Sequence, residues 1–475
     1  MAIANNRIYL KQLFETKKKH DTGQAIDVLP FLTKRTGAVK NQFNNILGEF
    51  TRSLSNLTLD EKAFKKHDEF YTSEEENEIS EQIANNVEFK EEDEKYDFIR
   101  FLDQYLFKGE KINPIHPFLF NYIKVDKAHK NEFGKYAHFM KDVLIEKEDN
   151  SKVSTIFKNK ETDDILTELI LSKMDGLKEN KVSNGAVQYE QLLKPISNLY
   201  QEDIMYLSKH KEYFLSTFAL LTHFYVFMYA NQLVVKFEQF SEANYDLIQP
   251  LYFALDWESI SKRRKAADDL EGFRYVKGKS SNLFPHIHTL SHLSHLVSEK
   301  EIKGEKGEVI SLKTYSEITK YISQKGAEYE ELFLSELNKW IQEYADIWKI
   351  KNTTKATTVE EGLRELFTCL KQGTSAGVAD KYGKNIEDLG FNQFIKNRGS
   401  LGHILNVKHE FVLLLTAVSV KDERIPLNEL FVEFEKRGVA LDRYSKKEVI
   451  SMLDSQNLID KKSDSGDAQY VKPIL

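Results

Sequence analysis

The stretch FPHIHTLSHLSHL carries the side chains best suited to chemistry in this chain. His288, His292, His295 and Glu299 follow one another at i, i+4, i+7 and i+11, which puts them within an arc of about 60° on one helix face. Imidazole nitrogens presented in this way can bind zinc or another first-row metal. Side chains on successive turns lie about 6 Å apart, however, so one helix seldom supplies three ligands to one ion. We therefore expect no metal, and interpret the stripe as a partly exposed polar face.

The sequence contains no convincing P-loop, cysteine nucleophile or nuclease motif, because the residue spacing or the neighbouring residues do not match. In GFRYVKGKS, Gly272 and Gly278 are separated by five residues, where a phosphate-binding P-loop needs four. Cys369 is the only cysteine and has no histidine nearby in the sequence, so it is better interpreted as a buried structural thiol than as a nucleophile. The many carboxylates form no nuclease signature. We expect neither catalytic residues nor a cofactor.

A basic cluster lies just before the histidine stretch. Its cations are Lys262, Arg263, Arg264, Lys265, Arg274, Lys277 and Lys279. Phe273 and Tyr275 stand among them, and aromatic side chains between basic residues can stack on nucleic-acid bases. The cluster is therefore a candidate nucleic-acid site. The alternative is an exposed helix and loop whose charges only interact with solvent.

The composition predicts a mainly α protein, a multi-helix body with a small C-terminal winged-helix domain. The 475 residues include only 21 Gly and 8 Pro, and both residue types disfavour helices when they are frequent. A hydrophobic share of 41% is enough for a folded core. The net charge of −7 excludes a protein whose whole surface coats nucleic acid.

One uncharged stretch, residues 214–235, is long enough to cross a membrane. It also contains Ser, Thr, His, Asn and Gln side chains distributed around the helix, and such groups would lack hydrogen-bond partners in lipid. We expect a buried central helix and no membrane partner. The first residues lack the basic start and apolar run of a secretory signal, and a single cysteine suits a reducing compartment. These features predict a cytoplasmic protein.

The pattern along the chain predicts three regions. Residues 1–150 form an N-terminal helical region that contains an acidic segment. Residues 151–400 form a central helical body. Residues 401–475 form a winged-helix-like domain.

The last region has the element order of a winged helix. A buried helix over 409–420 is followed by the short extended piece RIPL, and a second helix ends near Gly438. Ser445 and Glu448 have the spacing of a capping box, which predicts the start of the third helix at Ser445. LIDKK and AQYVKPI then predict a two-stranded hairpin, which is the wing.

Five cations lie where a DNA-reading winged helix would contact phosphates. They are Arg443, Lys446 and Lys447 at the third helix and Lys461 and Lys462 at the wing. From Lys421 to Leu475, however, ten Lys and Arg face eleven Asp and Glu, whereas DNA-binding modules usually have a basic surplus. Winged helices also dock proteins, so DNA contact and protein contact both remain open.

The C-terminal fifth of the chain resembles the DptG family of DNA phosphorothioation-dependent restriction proteins. The resemblance rests on RGSLGHILNVKHEFVLLLTAVSV, on EFEKRGVALDRYSKKEVISMLDSQNLIDKKSDSGDAQYVKPIL and, more weakly, on LPFLTKRTG near the start. It implies an antiviral defence subunit that works beside ATPase or helicase-like partners, the DptF-like and DptH-like subunits. The resemblance also implies that the subunit and its partners together restrict DNA whose backbone lacks sulfur modification. The resemblance implies no catalytic residues.

Three functions follow from these patterns. The first is a non-catalytic subunit of a restriction complex that bridges ATPase partners and contacts double-stranded DNA. The second is a stand-alone DNA-binding winged-helix protein that uses the two basic clusters. The third is a helical metal-dependent hydrolase built around the stripe from His288 to His295.

Overall fold

A computed structural model represents the protein. It describes residues 2–17, 19–60, 78–108, 111–125, 128–174, 176–180, 187–259, 272–305, 307–461 and 469–475. The described residues are mostly helical, with only short strands, which confirms the prediction of a mainly α protein.

Nineteen α-helices lie in the described residues, and the numbers of residues between consecutive described helices range from one to more than thirty. In chain order they are α1 Ala2–Lys17, α2 Asn44–Ser55, α3 Glu78–Asn85, α4 Glu92–Leu106, α5 Lys130–Leu144, α6 Asn150–Lys158, α7 Ile165–Lys173, α8 Lys194–Leu207, α9 Lys211–Glu238, α10 Phe273–Lys279, α11 Leu283–Val297, α12 Tyr315–Lys325, α13 Ala327–Trp348, α14 Val359–Gly373, α15 Ala376–Gly383, α16 Asn385–Gly390, α17 His409–Val420, α18 Leu427–Lys436 and α19 Arg443–Ser455. Short 3-10 helices occur at Pro117–Tyr122, Phe240–Glu242, Ser280–Asn282 and Gly399–Leu401.

The strands are all five residues long or shorter. They are β1 Leu57–Leu59, β2 Phe107–Lys108, β3 Lys111–Ile112, β4 Leu177–Glu179, β5 Leu251–Tyr252, β6 Ala254–Leu255, β7 Ile395–Asn397, β8 His403–Val407, β9 Ile425–Pro426, β10 Val439–Ala440, β11 Ile459–Lys461 and β12 Gln469–Val471. The sheets have the orders β1-β4, β2-β3, β10-β5, β6-β8-β7 and β11-β12-β9. The β10-β5 and β6-β8 pairs are parallel, and the others are antiparallel.

Two compact units make up the chain. The larger unit contains Met1–Asn41, Val187–Leu199 and Phe224–Leu475, and the smaller unit contains Gln42–Ala186 and Tyr200–His223. The three regions predicted from the sequence, with boundaries at residues 150 and 400, stay a prediction.

In the smaller unit, α2 packs along α5, and a separate apolar cluster lies between α3, α4 and α7. This second cluster contains Ile83, Leu102, Leu106 and Ile170, which are fully buried. The spacing of Leu102 and Leu106 is i, i+4, so both side chains lie on one face of α4. The opposite face of α4 is left to solvent.

The uncharged stretch predicted to be a buried helix forms α9. By length and composition α9 could cross a membrane, but 83% of its most apolar window is buried inside the protein. Its polar groups find partners there: the Tyr200 and Thr222 hydroxyls lie 3.0 Å apart, and Gln232 donates to the carbonyl of Gln249 at 2.6 Å. These hydrogen bonds offset the cost of burying polar groups. The burial confirms the expected core helix, and the cytoplasmic location stays a prediction.

The C-terminal residues contain the predicted sequence of elements. Helix α17 is followed by β9, α18, β10, α19, β11 and β12. The short strand β10 is an addition to the predicted order. Tyr470 of β12 pairs with Pro426 and Val471 pairs with Ile425, while Val471 also faces Ile459 of β11. The two C-terminal strands therefore join the strand before α18 in one antiparallel sheet.

The start of the third C-terminal helix was predicted wrongly. Helix α19 begins at Arg443, and Asp442 is its N-cap, because the Asp442 carboxylate accepts hydrogen bonds from the backbone N–H groups of Tyr444 and Ser445 at 2.9 and 2.8 Å. A carboxylate is a strong cap and interacts favourably with the helix dipole. Ser445 is therefore not the cap, and its hydroxyl is directed elsewhere.

Candidate functional site

The histidine stripe lies in α11, where every side chain is buried. His288 is 4% exposed, and His292 and His295 are completely buried. The expectation of a partly exposed polar face was therefore wrong. The reason is tertiary packing, because α1, α13 and α14 surround this helix. A helix with four histidines needs such neighbours to supply hydrogen bonds and ring contacts.

Aromatic and backbone groups hold these histidines. His292 Nδ1 accepts a hydrogen bond from Trp340 Nε1 at 3.4 Å, and the Phe14 ring meets the imidazole edge-on at 4.9 Å. His295 Nδ1 donates to the carbonyl of Ser291 at 2.7 Å, and its Nε2 accepts from the backbone N–H of Gln24 at 3.2 Å. These partners fix the orientation of the rings, which act as packing groups that also carry hydrogen bonds.

Burial keeps the histidines neutral. Removal from water lowers the pKa of His295 to about 4 and that of His288 to about 3. It also lowers to about 4 the pKa of His20, whose ring contacts that of His288. For His292, burial is again the largest cause, and its pKa lies well below the ordinary value. Desolvation disfavours the charged imidazolium, so a buried histidine binds its proton only in acid.

The fourth residue of the stripe belongs to a different environment. Glu299 is exposed and binds Lys325 Nζ at 2.7 Å and the Tyr321 hydroxyl at 2.9 Å. Across the described residues, no group of three or more His, Cys, Asp or Glu side chains could hold a metal ion. Within that part of the chain, the geometry gives the metal-dependent hydrolase no site.

Helix α10 carries the described part of the first basic cluster. Lys277 Nζ lies 2.9 Å from Glu387 and 3.4 Å from His403 Nδ1. Lys279 Nζ lies 2.9 Å from Glu238. Arg274 is exposed on the same helix. Because two of the three cations already face carboxylates of the protein, this helix presents less free positive charge than its sequence indicates.

Glu238, the ion-pair partner of Lys279, is the centre of a small polar network. Burial acts to raise the pKa of Glu238, but hydrogen bonds from His286, Asn282 and Lys279 outweigh it and lower the pKa to about 2. The same pairing raises the pKa of Lys279. His286 also lies 2.9 Å from the Tyr315 hydroxyl. The network anchors α10 to the body and has the character of a structural ion pair.

The cations at the start of α19 differ from one another. Arg443 and Lys447 are exposed, and the Arg443 guanidinium donates to the Tyr444 hydroxyl at 2.7 Å while covering its ring. Lys446 is half-buried, lies 3.2 Å from Glu435 and sits over the Phe431 ring. Arg443, Tyr444 and Lys447 therefore form the solvent-exposed surface, which we call the α19 tip. Lys446 instead pairs with Glu435 within the protein.

The remaining predicted cations fall outside the part of the chain that the structure describes. They are Lys262, Arg263, Arg264, Lys265 and Lys462, together with the side chain of Lys461. The backbone of Lys461 forms the last pair of the β11–β12 ladder, opposite Gln469.

The segment Leu251–Glu258 contacts the C-terminal region of the chain at a point that the sequence did not indicate. Strand β5 pairs with β10, with Leu251 opposite Val439. A few residues further on, both carboxylate oxygens of the buried Glu258 lie 3.0 Å from the Ser445 hydroxyl, which donates to them. We call this contact the Glu258–Ser445 junction. It fixes the chain just before residues 260–271 to the first turn of α19, and no local motif around Glu258 predicts it.

A cavity of about 370 Å³ lies beside α10. Its lining comes from several distant segments of the larger unit: Arg35, Lys40, Asp256, Glu387, Asp388, Phe391, Asn392, Ile395, Lys396, Asn397, His403 and Asn406. Arg35 pairs with Asp388 through two hydrogen bonds of 2.5 Å, and Lys396 pairs with Asp256. The charged groups thus largely neutralise each other. Sequence reasoning missed this cavity because no local pattern links its segments.

Comparison with known proteins does not assign this chain to a family. No protein-family model matches the chain, and no curated protein matches it. Function is therefore inferred from the geometry and from the resemblance seen in the C-terminal sequence.

Proposed function

We propose that residues 401–475 form a winged-helix domain. The supporting observation is the sheet order β11-β12-β9, in which the strand between the first two helices pairs with the second strand of the C-terminal hairpin. A winged helix uses this pairing to attach its wing to the three-helix core, because a two-stranded hairpin alone is marginally stable in water.

Within this domain, the α19 tip is the proposed contact surface. Arg443 and Lys447 supply charge and Tyr444, 43% exposed, supplies an aromatic ring. Arg and Tyr are enriched in protein interfaces because they combine apolar area with polar groups. Internal neutralisation of Lys446 by Glu435 reduces the positive charge available for phosphates. The surface is thus better suited to a protein partner than to DNA alone.

The whole chain is proposed to be a non-catalytic subunit of a DNA phosphorothioation-dependent restriction complex, as its resemblance to the DptG family implies. In this function it bridges DptF-like and DptH-like subunits, and the α19 tip, with its exposed Arg443, Tyr444 and Lys447, is the observation on which the proposal rests. Any hydrolysis of ATP or cleavage of DNA then belongs to the partners.

Co-purification tests this proposal. The tagged chain is co-expressed with the DptF-like and DptH-like subunits, and the complex is analysed by size-exclusion chromatography. We expect a stable complex that is lost or weakened at least tenfold by the double variant Tyr444→Ala, Lys447→Glu. Ser455→Ala, exposed at the other end of α19, is the matched control. A wild-type chain that elutes alone in the presence of both subunits contradicts the proposal.

DNA binding is the second candidate, favoured by the Glu258–Ser445 junction. Ser259 is the last described residue before the sequence KRRK of residues 262–265, and its neighbour Glu258 is hydrogen-bonded to the first turn of α19. We propose that both basic sequences supply phosphate contacts.

Gel-shift titration of duplex DNA at several salt concentrations tests the second candidate. Each lost phosphate contact lowers the slope of log affinity against log salt by about 0.9. We expect a lower slope when Lys262 to Lys265 become Ala, and again for Arg443→Ala with Lys447→Ala. Lys277→Ala is the internal control, because this lysine faces Glu387. Equal slopes for all variants count against DNA contact by these residues.

A further inference from the structure

Helix α4 of the smaller unit carries three aromatic rings in a line, and Phe89, just before the helix, contacts the first of them. Ring centroids lie 5.5 Å apart for Phe89 and Phe98, 6.3 Å for Phe98 and Phe101, and 5.5 Å for Phe101 and Tyr105. The last two pairs are nearly parallel, with interplanar angles of 23° and 15°. We call these four residues the aromatic ladder. Its spacing of i, i+3 and i+7 along α4 places the last three rings on one side of the helix.

The aromatic ladder lies at the edge of the buried face and not within it. Phe98 and Tyr105 pack partly on the apolar cluster of the smaller unit, whereas Phe101 is 42% exposed. The core positions of the helix are taken by Ile99 and Leu102, which are buried. Phe101 stacks on the partly exposed rings of Phe98 and Tyr105, so the three rings form one continuous aromatic surface. A continuous exposed apolar patch marks an interaction site more often than a single exposed side chain does.

Two carboxylates of α4, Glu94 and Asp97, lie on the same side of the helix as Phe101, and acidic residues are in excess in the surrounding sequence. Between Glu88 and Tyr105 the chain has seven acidic residues and three basic ones. The acidic ones are Glu88, Glu91, Glu92, Asp93, Glu94, Asp97 and Asp103. Asp97 is exposed one helical turn before Phe101. Glu94 is used in the capping box of α4, where it accepts hydrogen bonds from the backbone of Lys90 and Glu91. The surface therefore combines exposed aromatic area with a local excess of negative charge.

We propose that the aromatic ladder binds an arginine-containing, amphipathic segment of a partner protein. A guanidinium group stacks on aromatic rings and forms bidentate hydrogen bonds with carboxylates, so an arginine can contact Phe101 and Asp97 together. Apolar side chains of the same segment cover the rest of the rings. Nucleic acid does not fit this surface, because the carboxylates repel phosphates. The inference goes beyond the proposed function, since it lies in the smaller unit and requires neither the α19 tip nor DNA.

Peptide binding to the full chain tests this assignment. The probes are a fluorescent 16-residue helical peptide with Arg and Leu at helical spacing, the same peptide with every Arg replaced by Lys, and the same peptide with every Arg replaced by Glu. We expect saturable binding of the Arg peptide, weaker binding of the Lys peptide and none of the Glu peptide. Rising salt weakens the binding, since exposed charges are screened.

Three variants locate the binding surface. Phe101→Ala removes the most exposed ring of the ladder and lowers affinity for the Arg peptide at least tenfold. Asp97→Asn lowers affinity two- to fivefold and reduces the salt dependence. Tyr96→Ala is the matched control, because Tyr96 is 51% exposed on the same helix but lies about 160° around it from Phe98. It leaves the affinity unchanged. Circular dichroism melts confirm that all three variants fold.

Three outcomes overturn the proposal. The first is equal affinity of the Arg and Glu peptides, or of the wild type and Phe101→Ala. The second is binding that occurs only after deletion of residues 61–77, which assigns the surface to a segment of the same chain. The third is no saturable binding of the Arg peptide to either the full chain or the deletion variant.

Discussion

Helices α11 and α19 both contain side chains that the sequence identifies as candidate site residues, but the two helices differ in the burial of those side chains. The histidines of α11 are buried among aromatic rings and held by Trp340, Ser291 and Gln24. The cations at the α19 tip face solvent. The first set is neutral because of desolvation, while the second keeps its charge available to a partner. The comparison teaches that residue type and spacing define a candidate site, and that burial decides whether the candidate becomes core or contact surface.

The largest expected effect comes from placing a charge in the buried helix. His292→Asp puts a carboxylate at a fully buried position beside Trp340, and an unpaired buried charge costs about 3–5 kcal/mol. Urea unfolding at pH 7 measures the loss. His138→Asp, at an exposed position of α5, is the matched control and changes the free energy of unfolding by less than about 0.5 kcal/mol. Similar losses for the two variants contradict the burial of His292.

Lowering the pH tests the same comparison, because the stability of the fold depends on the neutral buried histidines. The folded state lowers the pKa of His20, His288 and His295, so the unfolded chain binds more protons as the pH falls below 6.5. Stability is therefore complete above pH 6.5 and declines below it, by up to about 1.4 kcal/mol per pH unit for each histidine.

Urea titrations between pH 7.5 and 5 follow this decline before most carboxylates titrate. His20→Gln removes one titrating group and gives a shallower decline. A free energy of unfolding that stays constant over this range is incompatible with neutral buried histidines in α11.

The Glu258–Ser445 junction predicts an intermediate effect. Ser445→Ala removes the hydroxyl that donates to both carboxylate oxygens of the buried Glu258, and a buried acceptor that loses a hydrogen bond costs about 1–3 kcal/mol. Thermal and urea unfolding measure the change. Ser451→Ala, exposed on the same helix, is the control with little expected effect. If the two variants are equally stable, the junction contributes nothing to the fold.

The smallest expected effect is at the solvent-exposed ion pair of α10. Lys277→Ala breaks the contact with Glu387, in which the lysine side chain is 48% exposed, and exposed pairs of this kind contribute about 0–1 kcal/mol. The free energy of unfolding in urea at low and high salt measures it. If Lys277→Ala destabilises the protein more than Ser445→Ala does, the ion pair outweighs the buried junction and α10 has a larger structural role.

Much of the local structure follows from sequence patterns. The sequence predicted a second C-terminal helix that ends near Gly438, and α18 ends at Lys436 with Leu430, Phe431 and Phe434 buried. The low glycine and proline content predicted a mainly helical chain, which the structure confirms. The cap of α19 was misassigned because Asp442 and Ser445 both have capping side chains, and only the competition between them in three dimensions decides which one the backbone uses.

The candidate sites were less predictable. The histidine stripe was recognised, but its exposure was wrong, because α1, α13 and α14 come from distant parts of the sequence. The partner of Ser445 is 187 residues away, and the cavity lining joins Arg35 to Asp388. Contacts over such separations leave no periodic signal in the sequence.

The sequence by itself determined the helical class, the buried nature of α9 and the order of the C-terminal elements, because these depend on local periodicity and turn residues. Only the tertiary structure decided which polar side chains are neutral and buried, which cations are already paired, and which aromatic rings of α4 remain exposed. The physical reason is that pKa values, ion pairing and solvent exposure depend on neighbours contributed by other segments of the chain.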